Sequence, residues 1–390
     1  MKIPQVSDGF CAKIAEDDVE DAVSETILAE KTPKDEQFRR GAYPKLALNS
    51  AMIQGTVETI AFGGNGIVRH EGRVIFVPFT APSDIVKIAV VKAHRSFAFG
   101  KILQLLKKSA LRIDPKCKYF GKCGGCQLQH LSYPAQLEVK RRFIEDNLRT
   151  IGKIFWTIPP IIPSSQIWGY REHIRLNIRS SQAGYIGIDR TSFVKVDQCP
   201  LFTNDQDTIL KEIQVLLSNF SFKGIKESSL RLFKAEEGRY LLAFSFFPFL
   251  PENRLKVIEN ALKRHPHWQG ILLKSPRQKE GFGDTEGRMT IEGVKILYSP
   301  YGFLQNHAEQ SANLYKAIAQ SIRSKKVLDL YSGIGTTSIL IGRQNKEVVS
   351  IESNRDAVEC AKKNAKLNGI SKVQFMTARV ENVLSPVLES

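Results

Sequence analysis

Four cysteines constrain this chain more than any other feature: Cys117, Cys123, Cys126 and Cys199. Three lie in the run Cys117-Lys118-Tyr119-Phe120-Gly121-Lys122-Cys123-Gly124-Gly125-Cys126. The fourth sits 73 residues further on, in Asp197-Gln198-Cys199-Pro200. Three clustered thiolates plus a distant one form an iron–sulfur pattern. Gly124 and Gly125 let the backbone bend tightly enough for two ligands to reach one cubane. Structural zinc competes, since four thiolates also suit a tetrahedral ion. Zinc sites usually use two short Cys-x-x-Cys pairs and this chain has one, which favours the cluster.

The chain has 390 residues, enough for two or three domains with their own cores. Its net charge of +16 points to a polyanionic partner. That charge is unevenly placed. Residues 1–36 hold ten acidic residues against four lysines, so the remainder carries +22. The acidic head reads as a disordered tail over about residues 1–50, or equally as a solvated helix face. The longest apolar run, Tyr240 to Leu250, is too short to span a membrane and contains Ser245 and Pro248. There is no basic start followed by an apolar signal core. A cytoplasmic monomer with a reduced cysteine complement is expected, with Cys11 and Cys360 unpaired.

Residues 51–112 read as short strands with glycine punctuation, which suggests a small barrel of the oligonucleotide-binding type. Its last part is basic. Lys92, His94, Arg95, Lys101, Lys107, Lys108 and Arg112 are interleaved with Phe97 and Phe99. Cations for phosphate and aromatics for stacking make an RNA-binding surface. The alternative, favoured for each phenylalanine taken singly, is that the rings are barrel core.

A central α+β domain is expected over 113–307. It opens with the cysteine loop and a helix from Tyr133 to Arg149, on which Leu137, Phe143, Ile144 and Leu148 share a face. Pro159, Pro160 and Pro163 mark a linker. Beyond it the chain is strand-rich, with one clear helix near 251–264. In the strand from Tyr170 to Ser180 the period of two puts Arg171, His173, Arg175, Asn177 and Arg179 on one face. Ile174, Leu176 and Ile178 take the other. The polar face suits RNA phosphate or base contacts, with a plain solvated face as the alternative.

Residues 308–390 read as part of a Rossmann-like domain. A helix over about 308–323 leads to a buried strand, Lys326-Val327-Leu328-Asp329-Leu330. Tyr331-Ser332-Gly333-Ile334-Gly335-Thr336 follows, then a helix, then a second strand ending on Glu352. Gly333 and Gly335 let the loop backbone approach a ligand at the strand's C-terminal edge. Glu352 is placed to accept two hydrogen bonds from a ribose diol. A lone Gly-x-Gly is a weak signal and on its own fits a dinucleotide. The single-turn spacing and the preceding Asp-Leu-Tyr point to S-adenosylmethionine. The next helix, from Arg355 to Asn368, stops at Gly369.

Together these motifs resemble the RNA uridine-5-methyltransferases that carry a TRAM domain and a [4Fe–4S] cluster, the bacterial 23S rRNA enzymes above all. The resemblance covers about residues 51–390. It rests on the cysteine spacing and on Cys123-Gly124-Gly125-Cys126-Gln127-Leu128-Gln129-His130. It rests also on Ser299-Pro300-Tyr301-Gly302-Phe303-Leu304-Gln305, which is similar to the family's Ser-Pro-x-x-Phe-Phe-Gln segment. The resemblance implies that Gln305, Tyr331, Gly333, Gly335, Thr336 and Glu352 line the methyl-donor pocket. With rRNA as the partner, the expected RNA contacts are Lys92, Arg95, Lys101, Arg171, His173, Arg175, Arg179 and Phe303.

Three departures accompany it. Asn306-His307 stands where the family has Val-Asn. Arg379 replaces an amide after the third strand. The sequence stops at Ser390, whereas the family continues to an Asp-Pro-Pro strand, a catalytic cysteine and a general-base glutamate. In the family a thiolate adds to carbon 6 of uracil so that carbon 5 can attack the sulfonium methyl; a base then removes the carbon 5 proton. No catalytic residue is therefore assigned within the chain, and the 390-residue chain is expected to be inactive alone. Cys360, inside a helix with Ala357, Ala361 and Asn364, reads as a packed residue. Two alternatives accompany the rRNA reading: an RNA-binding iron–sulfur protein without catalysis, and a tRNA-directed enzyme of the same chemistry.

Overall fold

Alternation of apolar and polar residues in the first sixty described positions builds a closed barrel. The computed structural model describes residues 52–202 and 206–389; the acidic head and Cys11 lie outside them. The strands are β1 (Met52–Ile60), β2 (Asn65–His70), β3 (Arg73–Pro78), β4 (Ile85–Ala93) and β5 (Phe97–Lys107), in the order β1-β2-β3-β5-β4. Ile53, Val57, Val68, Ile75, Val77, Val86 and Ile88 fill the interior. At Gly100 a Cβ would lie 2.4 Å from Ile88, so only glycine lets β4 and β5 close there.

The barrel extends past its last strand. Leu131, and Ala135 and Val139 from helix α1 (Tyr133–Thr150), join its core. The expected apolar face of that helix differs: Phe143 packs on Phe62, but Ile144 is 44% exposed. Arg112, grouped by sequence with the RNA-binding cations, is not free. Its guanidinium donates to the fully buried Asp84 at 2.7 and 2.9 Å and to the Phe79 carbonyl at 2.8 Å. Asp84 also accepts from the amides of Ala81 and Ser109. The pair clamps the β3–β4 turn to the start of the cysteine loop.

The phenylalanines of β5 also depart from the core reading. Phe99 is 36% exposed, and with Phe97, Phe76 and His94 it forms an aromatic cluster on the outside of the barrel.

The central domain is a seven-stranded sheet of order β12-β11-β10-β9-β6-β7-β8. Its strands are β6 (His173–Arg179), β7 (Gln182–Ile186), β8 (Phe193–Lys195), β9 (Glu227–Lys234), β10 (Tyr240–Phe247), β11 (Trp268–Lys274) and β12 (Lys279–Gly283). The apolar run noted in the sequence is β10, paired with β9 and β11. Helices α2 (Gln206–Asn219) and α3 (Arg254–Arg264) cover one face through Ile209, Leu210, Ile213, Leu217 and Ile258. Only α3 was expected. The other face meets the C-terminal part: Phe233, Leu241, Ala243 and Leu272 share a core with Tyr298 and Leu304.

The hairpin of β13 (Gly287–Ile291) and β14 (Val294–Tyr298) falls within the span assigned to the central domain. It packs into both cores: Val294 and Ile296 meet Ile339, Ile341 and Ala365 of the C-terminal part, while Tyr298 meets the central sheet. That part continues with α4 (Ala308–Ser321), β15 (Lys326–Leu330), α5 (Thr336–Gly342), β16 (Glu347–Glu352), α6 (Arg355–Leu367), β17 (Val373–Thr377) and α7 (Val380–Glu389). The three strands are parallel, in the order β15-β16-β17. As an edge strand, β15 is half-buried rather than buried. Asn354 caps α6 by accepting from the Ala357 amide, and Gly369 follows the helix in the left-handed region at φ 66°. No helix among the described residues is long and apolar enough to cross a membrane.

The Asp84–Arg112 clamp has a measurable consequence. Arg112→Ala strands a buried carboxylate and should cost about 3–5 kcal/mol in denaturant unfolding. A loss under about 1 kcal/mol, the scale of an exposed pair, would mean the backbone amides alone hold Asp84.

Candidate functional site

A cleft of about 860 Å³ runs between the central sheet and the C-terminal part. That is large enough for a nucleoside-sized ligand. One wall is the loop after β15, shaped by three left-handed residues: Tyr331 at φ 57°, Gly333 at 55° and Gly335 at 79°. The first is unusual for a bulky side chain and marks a backbone held by its surroundings. Its phenol donates to Glu381 on α7 at 2.7 Å.

Of the six residues expected at a methyl-donor pocket, Gln305, Tyr331, Gly333, Thr336 and Glu352 line this cleft. Gly335 does not. It starts α5, and a Cβ there would lie 2.8 Å from Ala361 and 2.9 Å from Phe375. Its role is close packing of the loop against α6 and β17. Glu352 ends β16 and grips the loop: its carboxylate accepts from the Gly333 amide at 3.0 Å and the Asn354 amide at 2.8 Å. Asp329, a cleft residue the sequence reading did not assign, has its pKa raised by burial although Ser338 donates to it. Cys360 also reaches the cleft. Its thiol donates to the Leu297 carbonyl at 3.0 Å, and burial pushes its pKa up. Arg379 lies exposed just beyond β17.

The four cysteines of the sequence motif converge on one small pocket, with Tyr119, Gln129, Arg171 and Tyr185 among its walls. The loop is stitched to the β7–β8 hairpin: Gly124 donates to the Ile186 carbonyl and Ile188 to the Lys122 carbonyl, both at 3.0 Å. Asp197, two residues before Cys199, accepts from Tyr119 at 2.8 Å and pairs with Lys118 at 2.7 Å. Burial pushes the thiols of Cys117, Cys123 and Cys126 up, and the Cys199 sulfur adds to this by repulsion. Such thiols ionise most readily against a cation. The buried Tyr185 hydroxyl faces Cys199 without meeting hydrogen-bond geometry, and Arg171 Nε is buried without a partner.

Among the described residues, Glu212, His265 and His267 are the only group of three or more His, Cys, Asp or Glu whose ligand atoms all lie within 4.8 Å of one another.

The expected RNA face is divided. Arg175 and Arg179 are exposed on β6, as are Lys92, Arg95 and Lys101 on the barrel, and Phe303 stands 79% exposed at the cleft. Arg171 leaves that face. It precedes β6, where its amide donates to the Leu201 carbonyl, and it lines the cysteine pocket. His173 keeps its place on that face of β6 but is turned from solvent: its ring stacks on Phe233 with centroids 5.4 Å apart and lines the cleft. Burial, then the Arg171 and Arg231 guanidiniums, lower its pKa from 6.5 to about 4.

The unfolded chain therefore takes up a proton that folded His173 refuses. Its contribution to stability is full above pH 6.5 and is lost as the pH falls toward about 4. An NMR titration should place the His173 midpoint near 4, and His173→Gln should flatten that part of the stability profile. A midpoint near 6.5 would show a solvated ring.

Comparison with known proteins agrees with this architecture. Residues 56–103 match the TRAM domain and residues 322–389 a methyltransferase domain. An uncharacterized RNA methyltransferase of Protochlamydia amoebophila is 40% identical over 347 residues, covering 87% of this chain and 79% of that protein. The tRNA (uracil(54)-C(5))-methyltransferase of Pyrococcus furiosus is 30% identical over 340 residues, covering 84% and 80%. The crystal structure of Pyrococcus abyssi tRNA (uracil-54, C5)-methyltransferase with S-adenosyl-L-homocysteine superposes with a TM-score of 0.65 at 24% identity, over 84% of this chain and 79% of that one. The sequence relatives and the two domain matches establish that this chain belongs to the RNA methyltransferases that carry a TRAM domain.

Proposed function

We propose that this protein methylates carbon 5 of a uridine in structured RNA, with S-adenosylmethionine as methyl donor. The observation that carries this is the cleft itself. Glu352 at the end of β16 and the left-handed loop 331–335 meet across it with Gln305, while His173, Phe233 and Tyr301 form the opposite wall. A donor and a base thus have adjoining places. Bound there, S-adenosylmethionine supplies an electrophilic methyl group. Glu352 would hold its ribose, and Gln305 and Thr336 would line its place.

The described cleft supplies the donor side of this chemistry. Cys360 is the one cysteine among the described lining residues, and its half-buried, hydrogen-bonded thiol with a raised pKa reads as a packing group rather than the nucleophile. The nucleophile is not among the lining residues described. On the RNA side, Lys92, Arg95, Lys101, Arg175 and Arg179 offer phosphate contacts. The cluster of Phe76, Phe97, Phe99 and His94 offers a stacking platform, and Phe303 stands at the cleft.

The sequence motifs favour 23S rRNA as substrate. The second reading, tRNA, is supported by the similarity to the Pyrococcus furiosus enzyme. Incubation with labelled S-adenosylmethionine and unmodified 23S rRNA or tRNA, followed by nucleoside mapping, separates them. The expected product is 5-methyluridine in one RNA class. A methyl group on another base or on nitrogen would overturn the reading. Glu352→Ala should weaken methyl-donor binding by about 1–3 kcal/mol, the scale of lost hydrogen bonds to a charged acceptor.

The cysteine pocket takes a [4Fe–4S] cluster in this reading, held by Cys117, Cys123, Cys126 and Cys199. The cysteine spacing in the sequence and the convergence of all four residues on one pocket support this. Held there, the cluster would tie the segment at 199 to the loop at 117–126 and so help position the RNA face. Anaerobically purified protein should be brown, with about four iron atoms and matching sulfide per chain. Stoichiometric zinc without sulfide would sink the assignment. Cys199→Ala should lose the iron and lower stability.

A further inference from the structure

Three separate elements of the central domain deliver metal-ligand side chains to one point. Glu212 projects from the middle of α2, His265 follows α3, and His267 precedes β11. Glu212 Oε1 lies 3.2 Å from His265 Nδ1, and Oε2 lies 2.7 Å from His267 Nε2. All three ligand atoms fall within 4.8 Å of one another. None of the three residues lines the cleft or the cysteine pocket. We propose that Glu212, His265 and His267 form a binding site for a divalent transition-metal ion of zinc's class.

The donor set suits that ion. Two imidazole nitrogens and one carboxylate oxygen match zinc and its first-row neighbours and disfavour magnesium or calcium, which take oxygen ligands. In a tetrahedral site with bonds of about 2.0–2.1 Å, neighbouring ligand atoms lie roughly 3.3 Å apart. The two oxygen–nitrogen separations, 3.2 and 2.7 Å to different carboxylate oxygens, are of hydrogen-bond length, so the ion enters once side-chain rotations turn the imidazole lone pairs from the carboxylate toward a common point. All three side chains are half-buried, which leaves an entry path and a fourth position for water.

The surroundings hold the ligands in place. The Trp268 indole donates to Glu212 Oε2 at 3.0 Å, and the His265 ring stacks on Trp268 with centroids 4.4 Å apart. The His265 amide donates to the Ala261 carbonyl at 2.9 Å, and the His267 carbonyl accepts from the Tyr240 amide at 2.8 Å. Fixed rings and an oriented carboxylate lose little freedom on binding. The second imidazole on the same carboxylate brings the count of convergent donor side chains to three. Glu212 and His267 are 55 residues apart, so the ion would tie α2 to the start of β11.

Cobalt and zinc ions are the probes. Full-length protein, purified anaerobically, should bind one equivalent of Co²⁺ above whatever metal the cysteine pocket retains. Its visible spectrum should lack the near-ultraviolet sulfur-to-cobalt band. Zn²⁺ should displace it and raise the melting temperature. Glu212→Gln and His267→Gln should each abolish the extra equivalent while leaving iron content and methyl-donor binding unchanged. Absence of the extra equivalent in the parent protein, a sulfur-to-cobalt band, or equal binding by the variants would overturn the proposal. If the variants fail to fold, diethyl pyrocarbonate labelling of the parent protein decides. Protection of His265 and His267 by Zn²⁺ supports the site, and equal labelling with and without Zn²⁺ rejects it.

Discussion

The side-chain amide of Asn364 holds the donor half of the cleft together. It is fully buried in α6. Its oxygen accepts from the Leu297 amide at 2.7 Å, and its nitrogen donates to the Leu297 and Ile334 carbonyls at 3.0 and 3.1 Å. One turn on, Asn368 repeats the pattern with the backbone of Lys295. The two amides act as a substitute strand beside β14. They fix three segments at once: the hairpin, the loop after β15 and α6. Without the Asn364 amide, buried backbone groups in two of those segments would lose their partners. The loop residue Ile334 sits between Gly333 and Gly335, so the shape of the cleft wall follows from this one side chain.

Much of the architecture was legible because it rests on local chemistry. The barrel follows from period-two alternation and glycine turns. The β15–loop–α5–β16 unit follows from an apolar strand, two glycines and an acid at the next strand's end. The cysteine pocket follows from residue type, since four thiols in such spacing have few other uses. What sequence reading missed depends on partners far along the chain. A cation's type cannot tell whether it is free, and the partner of Arg112 is Asp84, 28 positions earlier. Alternation sorted β6 correctly from Ile174 to Ile178. It failed at Arg171, where the chain is still bonded to Pro200 and Leu201 beside Cys199 and has not yet joined the sheet.

Two other misses have different causes. The buried positions of α2, Ile209, Leu210, Ile213, Leu216 and Leu217, recur at helical spacing, so that signal was available in the sequence. The β13–β14 hairpin carries no mark of its destination. Its strands pair only with each other, and side-chain packing alone decides which cores they join. Phe97 and Phe99 show the same limit. An aromatic residue in a strand fits the inside or the outside of a small barrel, and here the inside is already filled by aliphatic side chains.

The shared core beneath the cleft has a consequence for the substrate. Phe233, Leu241 and Leu272 of the central sheet interdigitate with Tyr298 and Leu304, and Arg231 donates to the carbonyls of Pro300 and Gly302. The two walls are thus continuous with one packed interior, which resists bending as any close-packed interior does. A mouth built this way does not yawn open to take in a folded helix. If the cleft takes an RNA base, as proposed above, the work of access falls on the nucleic acid, which would have to unstack and swing a nucleotide inward. Sites already strained or looped out would meet that demand most easily, so on this reading the rigidity of the protein would act as a filter on RNA shape.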